Sequence, residues 1–185
     1  DDEVVHEEVP GKFYTFRYSK DFPIAISTTR PETKVGDTAV AVNPKDDRYT
    51  QYIGEKYTVQ FAGKELSIKI VADESVDPAF GTGAIGVTPA HSMIDWGIAE
   101  KNDLPRIQVI NEYARMTEAA GPLVAGKKTI EAREAIVEWL KQEDLIEKEE
   151  DITLSLSKAD RSGGTIEPLP KLQWFIDVSK PFVLE

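Results

Sequence analysis

Three short stretches combine side chains that could do chemistry. The first is Thr28-Thr29-Arg30-Pro31-Glu32-Thr33, where an apolar run ends in two hydroxyls and Pro31 disfavours helix geometry at Arg30. Strand-end loops are good places for a site. Thr29 and Glu32 also have capping-box spacing with Pro31 near the first helical position, and spacing alone favours that structural role. The second is Val76 to Ala84, in which Gly81, Thr82 and Gly83 allow a tight turn or a close backbone approach to a ligand. It lacks the Gly-Lys-Ser/Thr ending of a phosphate loop, and a plain glycine turn between strands reads equally well. Asp73, Glu74 and Asp77 fit a solvated loop better than a metal site. The third is Thr88-Pro89-Ala90-His91-Ser92-Met93-Ile94-Asp95-Trp96, where a strand gives way to a helix. Here Asp95 either serves the helix start with Ser92 or places its carboxylate in a pocket against an ammonium group. His91 could act as a base, but no Ser or Cys nucleophile motif accompanies it, so a structural histidine is an equal reading.

The elements that must carry these stretches are short. Alternation or apolar runs predict strands at Phe13 to Tyr18, Pro23 to Ser27, Thr38 to Val42, Lys56 to Phe61, Leu66 to Val71, Ala84 to Thr88 and Ile107 to Ile110, with a hairpin across Ser19 to Phe22. Helices are expected at Ser92 to Asn102 and at Thr129 to Gln142, where Ile130, Ala132, Ala135, Ile136, Trp139 and Leu140 approximate one apolar face. Short helical pieces are expected after Pro31 and Pro44. Beyond Leu145 the chain turns polar, with a turn at Arg161-Ser162-Gly163-Gly164 before an extended Gln173 to Val178. The fold class that follows is mixed α/β, a barrel-like or strongly bent β-sheet core with a few peripheral helices.

Bulk properties limit the function. The 185 residues suit a single domain, and 41% hydrophobic with 30% charged residues is a globular composition. Zero cysteines exclude disulfides, thiolate nucleophiles and Cys-ligated zinc, and the two histidines, His6 and His91, stand far apart, so neither metal nor cofactor is expected. No apolar run approaches the ~20 residues that span a bilayer, and the acidic start is unlike a leader peptide, which points to a cytoplasmic protein without a membrane partner. A net charge of −11 argues against a chain whose main task is gripping a nucleic-acid backbone, so any RNA contact is local. Much of the acid lies in the first eight residues and in Glu143 to Asp151, read as solvated surface.

Each stretch alone is ambiguous, but their order and spelling together closely resemble the editing insertion of valyl-tRNA synthetases. The resemblance runs from Thr28 to Thr33 through Gly36-Asp37-Thr38-Ala39-Val40-Ala41-Val42, then Val71-Ala72-Asp73-Glu74, Gly81-Thr82-Gly83-Ala84 and Thr88-Pro89-Ala90-His91. It continues in Glu131-Ala132-Arg133, Arg161-Ser162-Gly163, Ile166-Glu167-Pro168 and Gln173-Trp174-Phe175, and so covers nearly the whole chain. The related leucyl and isoleucyl enzymes share the threonine-rich and glycine-rich segments, whereas the Asp37 to Val42 spelling and the Gln173-Trp174-Phe175 exit resemble the valyl enzyme. The chain departs from the pattern at Ser92, usually Asp, at Gly86, often Lys, and near Ala159, commonly Cys.

The resemblance implies one editing domain over 1–185, its terminal segments leading to an aminoacylation domain and its ends, Asp1 and Glu185, cut from a longer, monomeric synthetase. The His-Ile-Gly-His and Lys-Met-Ser-Lys-Ser signatures of ATP binding are absent from these residues, so amino-acid activation is not expected of them. The implied activity is hydrolysis of threonine wrongly attached to tRNA(Val), because a valine site rejects the near-isosteric threonine only ~100-fold. By resemblance, Asp95 holds the substrate's ammonium, Thr28, Thr29 and Arg30 line the site around the ester and terminal adenosine, and water is the nucleophile. Gly81, Thr82, Gly83, Thr88, His91 and Ser92 complete the implied substrate-binding set. The alternatives are an isoleucyl or leucyl editing domain, a catalytically silent tRNA-docking insertion, and an insertion that only buttresses a synthetase.

Overall fold

The computed structural model describes residues 3–172, 174–177 and 179. Two sheets and two helices form the architecture, which is mixed α/β as expected, but the described residues form no closed barrel. The first sheet has the order β2-β1-β7, built from β1 (Val4–Phe16), β2 (Ile26–Thr28) and β7 (Ile146–Ala159). The second has the order β4-β5-β3-β6, from β3 (Ala39–Val42), β4 (Lys56–Phe61), β5 (Lys64–Ala72) and β6 (Ala84–Val87).

In the second sheet β3 is central, parallel to β5 and antiparallel to β6. Its four residues, Ala39-Val40-Ala41-Val42, are all buried, as a strand covered on both faces must be. The period of two sends Val40 and Val42 into one apolar cluster with Phe16, Phe61, Ile68 and Ile70, and Ala39 and Ala41 into a second. Helix α2 (Thr129–Gln142) covers the first cluster with Ala132, Ile136 and Leu140, one residue per turn along a single stripe. Helix α1 (Met93–Asn102) covers the second with Ile98 and Ala99. Between β4 and β5 the two turn residues Ala62 and Gly63 both have positive φ, 52° and 78°, the geometry that suits a two-residue hairpin.

Two sequence expectations need correction. Pro23 to Ala25 is not strand, because the Arg17 guanidinium donates to the carbonyls of Phe22 (3.0 Å) and Pro23 (2.7 Å) and takes the place of a ladder; the hairpin partner of β1 begins only at Ile26. Ile107 to Ile110 contributes one isolated bridge, Ile110 to Met116, since the Val109 and Ile110 N–H groups donate to a histidine side chain. The acidic residues read as solvated surface do face solvent where they are described, and Glu7, Glu8 and the acids from Glu147 to Asp151 do so from paired strands. β1 and β7 pair from Val4↔Ala159 to Phe16↔Ile146, and Lys12 bridges Glu149 and Asp151 at 3.0 Å each.

The remaining expectations fare better. The helices at 93–102 and 129–142 stand as read, and a 3-10 turn follows Pro31 over Pro31–Gly36. After Pro44 only turns precede a 3-10 turn at Thr50–Tyr52. The 161–164 turn closes through Gly163 N–H to the Ala159 carbonyl at 2.8 Å. Gln173 and Val178, the ends of the expected extended segment, lie outside the described residues, and 174–177 form no strand.

Candidate functional site

A cavity of about 800 Å³ opens where the two sheets meet. The first sheet contributes Phe13 of β1, Ser27 and Thr28 of β2, and Ser155 and Ser157 of β7; the second contributes Ile85 and Gly86 of β6. Thr29, Arg30, Thr33 and Lys34 close one side, and Thr88, His91, Ser92 and Asp95 close another. Of the ten residues nominated from the sequence, seven line this cavity: Thr28, Thr29, Arg30, Thr88, His91, Ser92 and Asp95.

The other three stand behind it. Gly81, at φ +58°, lies so close to Ser27 and Phe13 that a Cβ there would sit 2.8 Å from the Ser27 Cβ, so it backs two lining residues without lining the cavity itself. Thr82 turns its hydroxyl to the Ala84 carbonyl (3.2 Å), and Gly83 packs on the Asp46–Arg48 pair. Their neighbour Phe80 does line the cavity, 61% exposed and 5.3 Å from Phe13 between ring centroids.

On the Thr28 side, strand β2 ends and the 3-10 turn starts with Pro31 at its first position. The Arg30 N–H donates to Thr28 Oγ1 at 3.0 Å, and the Thr33 hydroxyl donates to the Arg30 carbonyl at 2.9 Å. The Thr29–Glu32 capping box does not form. Glu32 is fully buried and receives two bonds from Arg133 of α2, 2.8 and 2.7 Å, which anchor the loop to that helix. That pairing holds the Arg133 guanidinium above its ordinary pKa. Arg30 is held between Glu32 and Glu167.

On the opposite side, Ser92 caps α1 by accepting the Asp95 N–H at 3.2 Å. The reciprocal half of a capping box is missing, because Asp95 Oδ2 instead accepts the Thr88 N–H at 2.8 Å. Among the described residues Asp95 Oδ1 accepts no hydrogen bond, which leaves one carboxylate oxygen for a ligand at the cavity wall. His91 is committed elsewhere: its Nε2 accepts from Val109 N–H (2.9 Å) and Ile110 N–H (3.1 Å). Its proton therefore sits on Nδ1, which makes no hydrogen bond of normal geometry and lies beside the Pro168 carbonyl. Burial lowers its pKa to about 4, so it is neutral near pH 7 and has no free lone pair for general-base work.

Sequence reasoning passed over the floor. Lys34 donates to Asp37 Oδ1 (3.1 Å), the Gly86 carbonyl (2.8 Å) and Thr88 Oγ1 (2.8 Å), while Asp37 also accepts from the Tyr18 and Thr88 hydroxyls. Burial raises the Asp37 carboxyl against the lowering pull of the Lys34 ammonium, and burial beside Asp37 raises the Tyr18 phenol well above its ordinary value. Gly86 is required here, since a Cβ would collide with Asp37 Oδ2 and Tyr18 OH. A Lys and an Asp three residues apart read as solvated surface, and the one sequence signal against that is the apolar company of Val35, Gly36 and Ala39 to Val42. Among the described residues no group of three or more His, Cys, Asp or Glu is placed to hold a metal ion.

A mixed α/β domain with a cavity between two sheets is common to many functions, and sequence comparison finds its likeness in one segment of valine–tRNA ligases. The chain is 48% identical over 179 residues to a valine–tRNA ligase of Petrotoga mobilis, covering 95% of this chain and 20% of that protein. It is 45% identical over 197 residues to that of Aquifex aeolicus (97% and 17%) and 44% over 182 residues to that of Pelagibacter ubique (96% and 20%). This chain is therefore homologous to a segment of valine–tRNA ligases, in agreement with the resemblance to their editing domain, and it spans about a fifth of the length of those relatives. No family model matches. One solved chain, from a ternary complex described as Agrobacterium radiobacter K84 agnB2 LeuRS-tRNA-LeuAMS, aligns with 81% of this chain and 20% of its own at a TM-score of 0.49 and 19% identity. No helix among the described residues is long and apolar enough to cross a membrane.

Proposed function

We propose that the chain is a single proofreading domain of a cytoplasmic, monomeric valyl-tRNA synthetase, and that it hydrolyses the ester of threonine misattached to the terminal adenosine of tRNA(Val). The observation that carries this reading is Asp95: a cavity-lining carboxylate, fixed through one oxygen by the Thr88 backbone and open at the other. Such a group suits the α-ammonium of an aminoacyl ester. Thr28, Thr29 and Arg30, on the facing side, surround the ester and the adenosine ribose. Arg30 is pre-set by two carboxylates and costs little ordering on binding.

Water attacks the ester carbonyl, the bond from carbonyl carbon to ribose oxygen breaks, and the ribose oxygen takes up a proton as threonine leaves. With His91 occupied, the rate comes from holding the ester and a water in place and from hydroxyl and backbone donors directed at the oxyanion. Selectivity follows from the polar lining. Valine in the same place would leave buried donors unpaired, so correctly charged tRNA is spared.

Asp95→Asn tests the reading in the synthetase that carries this segment. Asn keeps an oxygen for the Thr88 N–H but loses the charge opposite the ammonium. Threonyl-tRNA(Val) deacylation should fall about 100-fold, as for a misplaced ester, while the 185-residue chain melts nearly as before. Undiminished hydrolysis with normal melting removes Asp95 from the site and with it the observation on which the reading stands.

A further inference from the structure

Two cations line the cavity, and they differ in what they can offer a ligand. Arg30 is clamped by Glu32 and Glu167. Lys34 is 5% exposed, and its three protons go to Asp37, the Gly86 carbonyl and the Thr88 hydroxyl oxygen. Of these acceptors only Thr88 Oγ1 belongs to a neutral side chain, and Thr88 itself lines the cavity. The bond from Lys34 to Thr88 is the one a ligand can open without stranding a charge or a backbone carbonyl.

Thr88 also ties this ammonium to the opposite charge. Its backbone N–H holds Asp95 Oδ2 at 2.8 Å, and its hydroxyl oxygen takes the Lys34 proton at 2.8 Å. A carboxylate and an ammonium thus stand on either side of one residue. The complementary ligand carries an ammonium and a hydroxyl on adjacent carbons, a 1,2-amino alcohol, which is the grouping that separates threonine from valine. Its hydroxyl can accept from Lys34 and donate to Thr88 Oγ1, entering the existing bond as a bridge. A valine methyl in that position can do neither, and it would force a buried ammonium to give up an acceptor.

The geometry points to Lys34 as the specificity-determining residue of the cavity, its ammonium selecting the β-hydroxyl of the aminoacyl group; this inference rests on the editing function proposed for the chain. Asp37 serves as its positioning residue. Tyr18 and Thr88 fix the Asp37 carboxylate, and the absence of a side chain at Gly86 makes room for the cluster. Lys34 stands on the buried 3-10 turn Pro31–Gly36, which holds the selecting charge in place.

The test uses non-hydrolysable adenosine 2′-amides carrying threonine or valine, titrated calorimetrically into the 185-residue chain. The unsubstituted chain should prefer the threonyl compound. Lys34→Met, and Lys34→Met with Asp37→Asn, which removes both buried charges and guards against misfolding around an unpaired Asp37, should lose roughly 10-fold or more of that preference, the scale of a hydrogen bond to a charged group. Because both variants perturb the floor, a second measurement reads the unsubstituted chain directly. The lysine side-chain NH₃⁺ resonance of Lys34, followed by nitrogen NMR, should respond differently to the two amides, because the ammonium keeps three acceptors with the threonyl compound and loses one with the valyl compound. A folded double variant that keeps the full preference, or a Lys34 resonance that responds alike to both amides, overturns the assignment while leaving the editing function standing. A chain with no preference for the threonyl amide overturns the editing function itself.

Discussion

Beneath the cavity Asp37 is balanced by an ion, the Lys34 ammonium, whereas along the wall from Thr88 to Asp95 the buried polar atoms are met mainly by backbone amides. The two solutions differ in what they cost and in what they leave free. An ion pair at the floor is expensive to desolvate, and each partner depends on the other. Backbone amides are present in any case, so the wall holds Asp95, Ser92 and His91 one bond at a time. The floor is therefore an all-or-none unit, while the wall can lose members singly. That difference suits a floor that must present one fixed charge to a ligand and a wall that must keep one carboxylate oxygen unspent.

The largest effect should come from breaking the floor. Asp37→Ala leaves the Lys34 ammonium buried without its counter-ion, and removing one partner of such a pair costs about 4 kcal/mol. Urea unfolding should show this loss, and the loss should shrink when Lys34→Met is added, because the second change removes the stranded charge. Equal losses in the single and double variants would put the floor on the same footing as the wall.

The wall's largest contribution is His91, and pH separates it from the floor. Its folded pKa of about 4 lies below the ordinary 6.5, so between those values the unfolded chain binds more protons and stability rises with pH. The contribution is complete above pH 6.5 and is lost as pH falls toward 4, a swing of roughly 3 kcal/mol. Asp37 runs the other way: burial raises its carboxyl, so the native state holds that proton more tightly than the unfolded chain does, and the resulting stabilisation is lost as pH rises through the folded value. Comparing the unsubstituted chain with His91→Gln cancels Asp37, which both carry. Gln can still accept a backbone N–H, and the advantage of histidine over glutamine should shrink steadily from pH 7 to pH 4. A constant difference would show that His91 titrates alike in both states.

The sequence made the wall far more legible than the floor. Thr88, His91, Ser92 and Asp95 lie within eight residues at a strand-to-helix change, and Thr28-Thr29-Arg30 close an apolar run before a proline, so local spelling marked both. The floor joins Tyr18, the Lys34–Asp37 pair and Thr88 from three parts of the chain, and the only local sign that Lys34 is buried is the apolar company of Val35 and of Ala39 to Val42. Ser155 and Ser157 were missed as cavity-lining residues for a related reason. The alternation of Ile152, Leu154 and Leu156 in β7 was outweighed by the acids before it, and without that strand the serines between had no assigned face. Gly81 to Gly83 shows the converse: a conspicuous motif whose glycines serve packing against Ser27, Phe13 and Arg48 while Phe80 meets the cavity.

The smallest expected effect is at Ser92, where the wall meets the helix. Ser92 has extended backbone, φ −152° and ψ 130°, and among the described residues its hydroxyl accepts only the Asp95 N–H. A two-sided capping box would tie Asp95 back to the Ser92 backbone and spend its carboxylate, but here that carboxylate goes to Thr88. Ser92→Ala should therefore cost one cap, about 1 kcal/mol, read as a lower melting temperature. Ser92→Asp should recover most of it, because an aspartate accepts the same N–H and its charge favours a helix N-terminus, offset in part by repulsion from Asp95 one turn on. The Asp95 tie to Thr88 does not involve the Ser92 hydroxyl, so threonyl-ester hydrolysis per folded molecule should persist in Ser92→Ala. If melting is unchanged while hydrolysis falls, Ser92 is not a cap but a member of the site, and the wall would then hold its polar groups for the ligand and not for the helix.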